Sequence, residues 1–240
     1  MMKPTLPAHL DQAYAQGLFP GHPVAQWELG MHKNFIYLLI DWTSKDCVWL
    51  DPQSDLEPVL SAMDAHGLRL AEIWLTHTHH DHVAGLPKLL REFPDLPIRV
   101  GQDDAHRLSP ELKSSPRLRV LHGGEPLALG SLSVQALSTP GHSAGAISYF
   151  VPAQQSLGSC PPILFSGDTV FIRDCGRTDL PTGSDAQMFQ TLQRLKSLPP
   201  ETLLLPGHHY QKECASTLGA EFRQSPPFLC ATEEELTALN

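Results

Sequence analysis

Short apolar runs, each closed by turn-forming residues, recur along the chain at 24–29, 35–40, 47–50, 71–75, 98–101, 131–137, 147–151, 163–165 and 202–205. Their length and spacing predict β-strands, several of them buried on both faces. Helical periodicity interrupts them twice. Leu56, Val59, Leu60 and Met63 fall on one stripe, Ser54 with Glu57 forms a capping box, and Gly67 supplies a C-terminal stop. A second helix is predicted from Ser184, with Gln187 completing the capping pattern and Met188, Leu192 and Leu195 as its buried stripe. Pro199 and Pro200 are expected to force its end. Hairpin-like stretches over residues 117–137 make the sheets mixed rather than all parallel. Residues 154–162 read as a hairpin loop rather than a linker, so residues 1–240 are expected to form a single α/β domain.

Composition narrows the function. A formal net charge of −9 argues against neutralising nucleic-acid phosphates and favours a small-molecule substrate. Residues 1–17 lack the charged start and apolar run of a secretory signal, and no run approaches the length of a membrane span. The five cysteines show no CxxC spacing, and their odd number suits a reducing cytoplasm better than a disulfide framework. The 13 histidines are the compositional oddity, because six of them fall in two tight clusters, at 77–82 and 208–209.

The densest cluster is Thr76-His77-Thr78-His79-His80-Asp81-His82, directly after an apolar run. In an extended chain, alternation places His77, His79 and Asp81 on one side and His80 on the other, with His82 swinging back from the following turn. Imidazoles and a carboxylate at this density suit zinc, iron or manganese, and the lack of nearby thiolates argues against a closed structural zinc site.

With its HxHxDH signature at His77, His79, Asp81 and His82, the sequence resembles the metallo-β-lactamase superfamily. Further motifs follow in the family's order around His142, Asp168 and His208. The resemblance implies a four-layer αββα sandwich with two divalent metal ions at one edge, zinc foremost with iron or manganese as alternatives. By it, His77, His79 and His142 hold one ion, Asp81, His82 and His208 the other, and Asp168 bridges them. His80 and His209 stand outside this set, and Asp51 reads as an orienter of a ligand histidine. Gly141, Gly167 and Gly207 are expected to make room for close backbone approach to the metals.

No G-x-S-x-G elbow accompanies these motifs, so the expected nucleophile is a metal-bound hydroxide. Within the superfamily the chain is most similar to glyoxalase II, the hydroxyacylglutathione thioester hydrolases. The likeness rests on residues 34–41, on Cys175-Gly176-Arg177-Thr178-Asp179, and on segments near 216–219 and 226–228. It implies a thiol-derived substrate such as a glutathione conjugate, contacted by Arg177 and Tyr210, with Asp81 and Asp168 as the catalytic carboxylates. The stretch after His208 is too short for more than two short helices, whereas long glyoxalase II enzymes carry a helical extension there. The segment 172–179 equally resembles persulfide dioxygenases, in which one iron would be held by His77, His142 and Asp168. A non-catalytic metal-binding protein would be expected to lack ligands, and none is missing. Cys175 is expected to pack beneath its loop.

Overall fold

The computed structural model describes residues 17–158 and 160–239. Of the stretch read for a secretory signal, all but Gly17 lies outside the described residues, as does Ser159 of the 154–162 loop.

Two six-stranded sheets face each other. The first runs in the order β1 (Val24–Leu29), β2 (Asn34–Asp41), β3 (Asp46–Leu50), β4 (Arg69–Trp74), β5 (Ile98–Gly101) and β6 (Leu118–Leu121). It is antiparallel from β1 to β3 and parallel from β3 to β6. The second holds β7 (Pro126–Leu129), β8 (Leu132–Ser138), β9 (Ile147–Val151), β10 (Ile163–Gly167), β13 (Leu203–Pro206) and β14 (Ser216–Thr217), and only its β10–β13 pairing is parallel. A small hairpin of β11 (Val170–Phe171) and β12 (Asp174–Cys175) follows β10.

Strand alternation builds the layers. Along β2, every residue of which is buried, Phe35, Tyr37 and Leu39 join the core between the sheets, while Ile36, Leu38 and Ile40 join the core beneath the helices. The inner core also takes Trp74, stacked on Tyr149 with centroids 4.9 Å apart, and Phe165 from β10. Outside the first sheet lie α1 (Glu57–His66), whose Val59 and Met63 are buried, and, after the turn α2 (His80–Val83), α3 (Leu86–Glu92), which buries Leu86 and Leu89. Two further single turns, α4 (Gln102–Ala105) and α5 (Pro110–Lys113), join β5 to β6. Outside the second sheet, α6 (Asp185–Leu195), α7 (Leu218–Gln224), α8 (Pro226–Leu229) and α9 (Glu233–Thr237) cover Leu164 and Leu204. Helix, sheet, sheet, helix is therefore the order of layers.

Three expectations need correction. Ser54 does not cap α1, whose N-cap is Leu56 and makes no side-chain cap bond. Pro58 has no N–H to give to the Ser54 carbonyl, which is the first hydrogen bond a helix capped at Ser54 requires. Ser184 does cap α6, accepting from Gln187 N, but that helix ends at Leu195, before either proline is reached. Three short helices rather than two follow His208, because Pro226 and a Thr232 cap restart the chain twice after α7.

Candidate metal centre

Strand ends deliver the site. Asp51 follows β3, His77 and His79 follow β4, His142 lies in the turn between β8 and β9, Asp168 follows β10, and His208 follows β13. The two sheets are joined there by Phe35 N donating to Gly207 O at 2.8 Å and by a β-bridge between Asn34 and His208.

The extended alternation expected through position 81 stops at His79, the last residue with extended dihedrals. His82 N donates to His79 O at 3.0 Å and closes the single turn α2, so Asp81 and His82 enter the site from a helix. His80 is exposed, Asp81 half-buried and His82 only 1% exposed.

Hydrogen bonds on the outer ring nitrogens set the histidine tautomers. A backbone carbonyl only accepts, so His142 Nδ1 donates to Arg177 O at 2.7 Å and His208 Nδ1 donates to His32 O at 2.8 Å. His82 Nδ1 donates to Asp51 Oδ2 at 3.0 Å. Thr76 Oγ1 gives its own proton to Asp51 at 2.5 Å and so accepts from His77 Nδ1 at 3.1 Å. A neutral imidazole has one N–H. All four rings therefore turn an Nε2 lone pair inward.

These atoms crowd together. His142 Nε2 lies 2.8 Å from His79 Nδ1, and His82 Nε2 lies 3.2 Å from His208 Nε2. Asp168 adjoins both pairs: Oδ2 is 3.6 Å from His142 Nε2 and 3.2 Å from His208 Nε2, and Oδ1 is 3.4 Å from His82 Nε2. Asp81 Oδ2 is 3.4 Å from His208 Nε2 and accepts from Asn34 Nδ2 at 2.9 Å. Two nitrogens on one tetrahedral zinc, each ~2.0–2.1 Å from it, sit roughly 3.3 Å apart. Facing lone pairs at 3.2 Å repel unless a proton or a metal cation stands between them. His77 Nε2 and Asp168 Oδ1 are moreover buried and lack a hydrogen-bond partner. The donor set fits divalent metal ions, in two groups: His77 with His79 and His142, and Asp81 with His82 and His208. Asp51 also lies within reach of His77 and His82. Its oxygens, however, are already engaged by Thr76 N at 2.7 Å, Thr76 Oγ1 and His82 Nδ1, so its role is to orient His82.

The electrostatics suit a cation. Burial works against charge on His82, but the Asp168 and Asp51 carboxylates outweigh it and raise this pKa well above the ordinary value. Burial likewise opposes charge on Asp168, yet His82, His208 and His77 hold its carboxyl well below the usual range. Burial, reinforced by His82, keeps the His77 ring neutral. A proton and a metal thus compete for the same His82 lone pair.

The two residues expected to meet substrate behave differently. Tyr210 is 57% exposed and stacks on His208 at 4.9 Å, with Phe171 at its edge 5.2 Å away. The Arg177 guanidinium is engaged by Asp179 at 2.5 and 2.6 Å, and only its backbone carbonyl reaches the site, through His142. Cys175 is buried in the core under the helices, and burial, then Asp174, pushes its thiol up to about 12. Of the three glycines, only Gly207 faces the cluster, next to Asp168 Oδ1; Gly167 abuts Thr76 and Gly141 abuts Met188. Sequence reasoning missed Asp104, which is fully buried and ties the two site loops together. Oδ2 accepts from Thr78 N and Ser143 Oγ, both at 3.0 Å, and Oδ1 accepts from Gly145 N at 3.0 Å. The chain shows two adjacent aspartates there, and nothing local distinguishes Asp104 from exposed Asp103.

Comparison with known proteins agrees with this geometry. The sequence matches the metallo-beta-lactamase superfamily over residues 36–208. Hydroxyacylglutathione hydrolase from Synechococcus sp. is 37% identical over 180 residues, which cover 75% of this chain and 66% of that protein. The protein of the same name from Hamiltonella defensa is 36% identical over 180 residues, covering 75% and 64%. The chain thus spans slightly less than two thirds of the length of these relatives. Among solved structures, ETHE1 from Myxococcus xanthus superimposes with a TM-score of 0.75 at 28% identity, covering 90% of this chain and 91% of that one. TTHA1623, solved in a di-iron-bound form, gives 0.65 at 33% identity over 83% and 97%.

Proposed function

The chain belongs to the metallo-β-lactamase superfamily, and on that footing we propose that it is a metal-dependent hydrolase that cleaves a small thioester such as an S-2-hydroxyacylglutathione. The observation that carries this reading is the inward convergence of imidazole lone pairs on Asp168, each ring oriented from behind by an acceptor. His77, His79 and His142 would hold one ion and Asp81, His82 and His208 a second, with Asp168 shared between them. Zinc is the first choice for these donors, with iron or manganese as alternatives. When bound, such ions supply Lewis acidity that activates water near neutral pH and polarises a carbonyl.

The chain supplies the rest. Asp81 and Asp168 are the proposed catalytic carboxylates, both with lowered pKa despite burial and so ionised. Asn34 steadies Asp81 through Oδ2, and Asp51 keeps His82 in one tautomer. Tyr210 and Phe171 form an aromatic wall beside His208 suited to the thiol portion of a substrate. The names of the hydrolase relatives support a glutathione-derived thioester as the substrate class. No helix among the described residues is long and apolar enough to cross a membrane.

A second reading, a mononuclear-iron persulfide dioxygenase, is favoured by the likeness to ETHE1 and by Asp168 Oδ2 lying 3.6 Å from His142 Nε2 and 3.9 Å from His77 Nε2. One experiment separates the two. Purified protein is analysed for metal per chain and assayed with S-lactoylglutathione without oxygen and with glutathione persulfide in its presence. About two metals with oxygen-independent thioester cleavage is the expected result. One iron with oxygen uptake on the persulfide would replace the hydrolase by the dioxygenase.

A further inference from the structure

Arginines around the proposed centre differ in whether their charge is available. Arg173 pairs with buried Glu221, and Arg177 with Asp179. Arg107 is exposed and meets no carboxylate among the described residues; its Nη1 donates to Pro181 O at 3.2 Å. Its location is set by its neighbours. Arg107 N donates to Asp104 O at 3.0 Å, and Asp104 is anchored to Thr78, the residue between His77 and His79, and to the loop that carries His142. Pro181 lies in the loop that follows Arg177. The side chain therefore runs from a turn locked against the site loops to the loop that follows Arg177, whose carbonyl holds His142.

We propose that Arg107 receives the anionic end of the substrate, the carboxylate of a small thiol-derived conjugate whose reacting group lies at the histidine and aspartate cluster. The inference rests on the hydrolase reading for the class of substrate, not for the position of the charge. A chain of net charge −9 repels an anion in general, so a carboxylate needs a local unpaired cation to dock. A guanidinium with free N–H groups offers two parallel hydrogen bonds to it. Arg177 would have to give up two hydrogen bonds to Asp179 to do the same.

Calorimetric titration of the metal-loaded protein with S-methylglutathione, which has no scissile thioester, and with its diethyl ester tests this. The wild type is expected to bind the acid about 10-fold tighter than the ester or more, as charge-assisted hydrogen bonding requires. Arg107→Gln should abolish that preference without weakening binding of the ester, and Arg107→Lys should restore part of it, with an unchanged melting temperature confirming the fold. A wild type without the preference, an Arg107→Gln variant that keeps it, or its loss in Arg177→Gln alone would overturn the assignment. Turnover of S-lactoylglutathione is measured separately. Preference for the acid without turnover discards the hydrolase reading and leaves the role of Arg107 standing.

Discussion

Gly207 has no room for a methyl group: a Cβ there would press into Asp168 Oδ1 and lie 3.1 Å from His82 Cε1. Gly207→Ala is therefore expected to displace Asp168 and lower the metal content while the fold survives. Metal analysis beside circular dichroism checks this, and a fully loaded variant would contradict it. Asp51 acts one step further out. It has a left-handed backbone, φ 50°, and spends its carboxylate on Thr76 and His82. Removing such a support typically costs 10–100-fold in metal affinity, so competition with a chelator should show a loss of about that size in Asp51→Ala. Affinity equal to the wild type would leave Asp51 without a part in the site.

Between elements, the clasp at Asp104 decides how the loop after β4 sits against the turn between β8 and β9. Asp104→Ala strands the buried Thr78 and Gly145 N–H groups, each worth about 1–3 kcal/mol when unsatisfied. A melting temperature several degrees lower is expected, together with weaker metal binding; an unchanged one would mean that water replaces the carboxylate. The two helix starts give a sharper comparison. Ser184 caps α6 and its loss should cost ~1 kcal/mol, whereas Ser54 makes no cap and Ser54→Ala should be close to neutral. Denaturant titration of the two variants reads the difference directly. Both serines show the same pattern with Glu or Gln three residues later, and only Pro58 tells them apart.

For the molecule as a whole, the buried cluster sets a pH dependence. With the metals stripped, His79 binds its proton at about pH 4 in the folded state, against 6.5 ordinarily. Across that interval the unfolded chain holds a proton that the folded chain lacks, so stability falls as pH falls from about 6.5 to about 4. His77, kept low by burial and His82, acts in the same direction. His82 and His208 have raised pKa values and are protonated in both states over most of this window, so they add little to the slope there. The lowered pKa values of Asp81 and Asp168 matter only nearer the ordinary carboxylate value of 3.8. The melting temperature of metal-stripped protein should therefore be lower at about pH 4.5 than at about pH 6.5, within that window. A flat profile would contradict the burial of these rings.

The sequence by itself determined the strands of both cores, because runs such as 35–40, 47–50 and 163–165 are apolar on both faces and have no stable alternative to a covered sheet. It also singled out the side chains that the fold gathers into one cluster, since the HxHxDH segment and the separate histidine and aspartate motifs are dense enough to be read locally. Tertiary structure alone decided how those groups are held. Whether Asp81 arrives from a strand or a helical turn depends on where the backbone closes a hydrogen bond at His79. Asp104 became a clasp and Arg107 a cation bonded to a carbonyl rather than a carboxylate because of partners 26 to 74 residues distant in the chain. Such pairings depend on distances across the sandwich, which no local pattern of residues encodes.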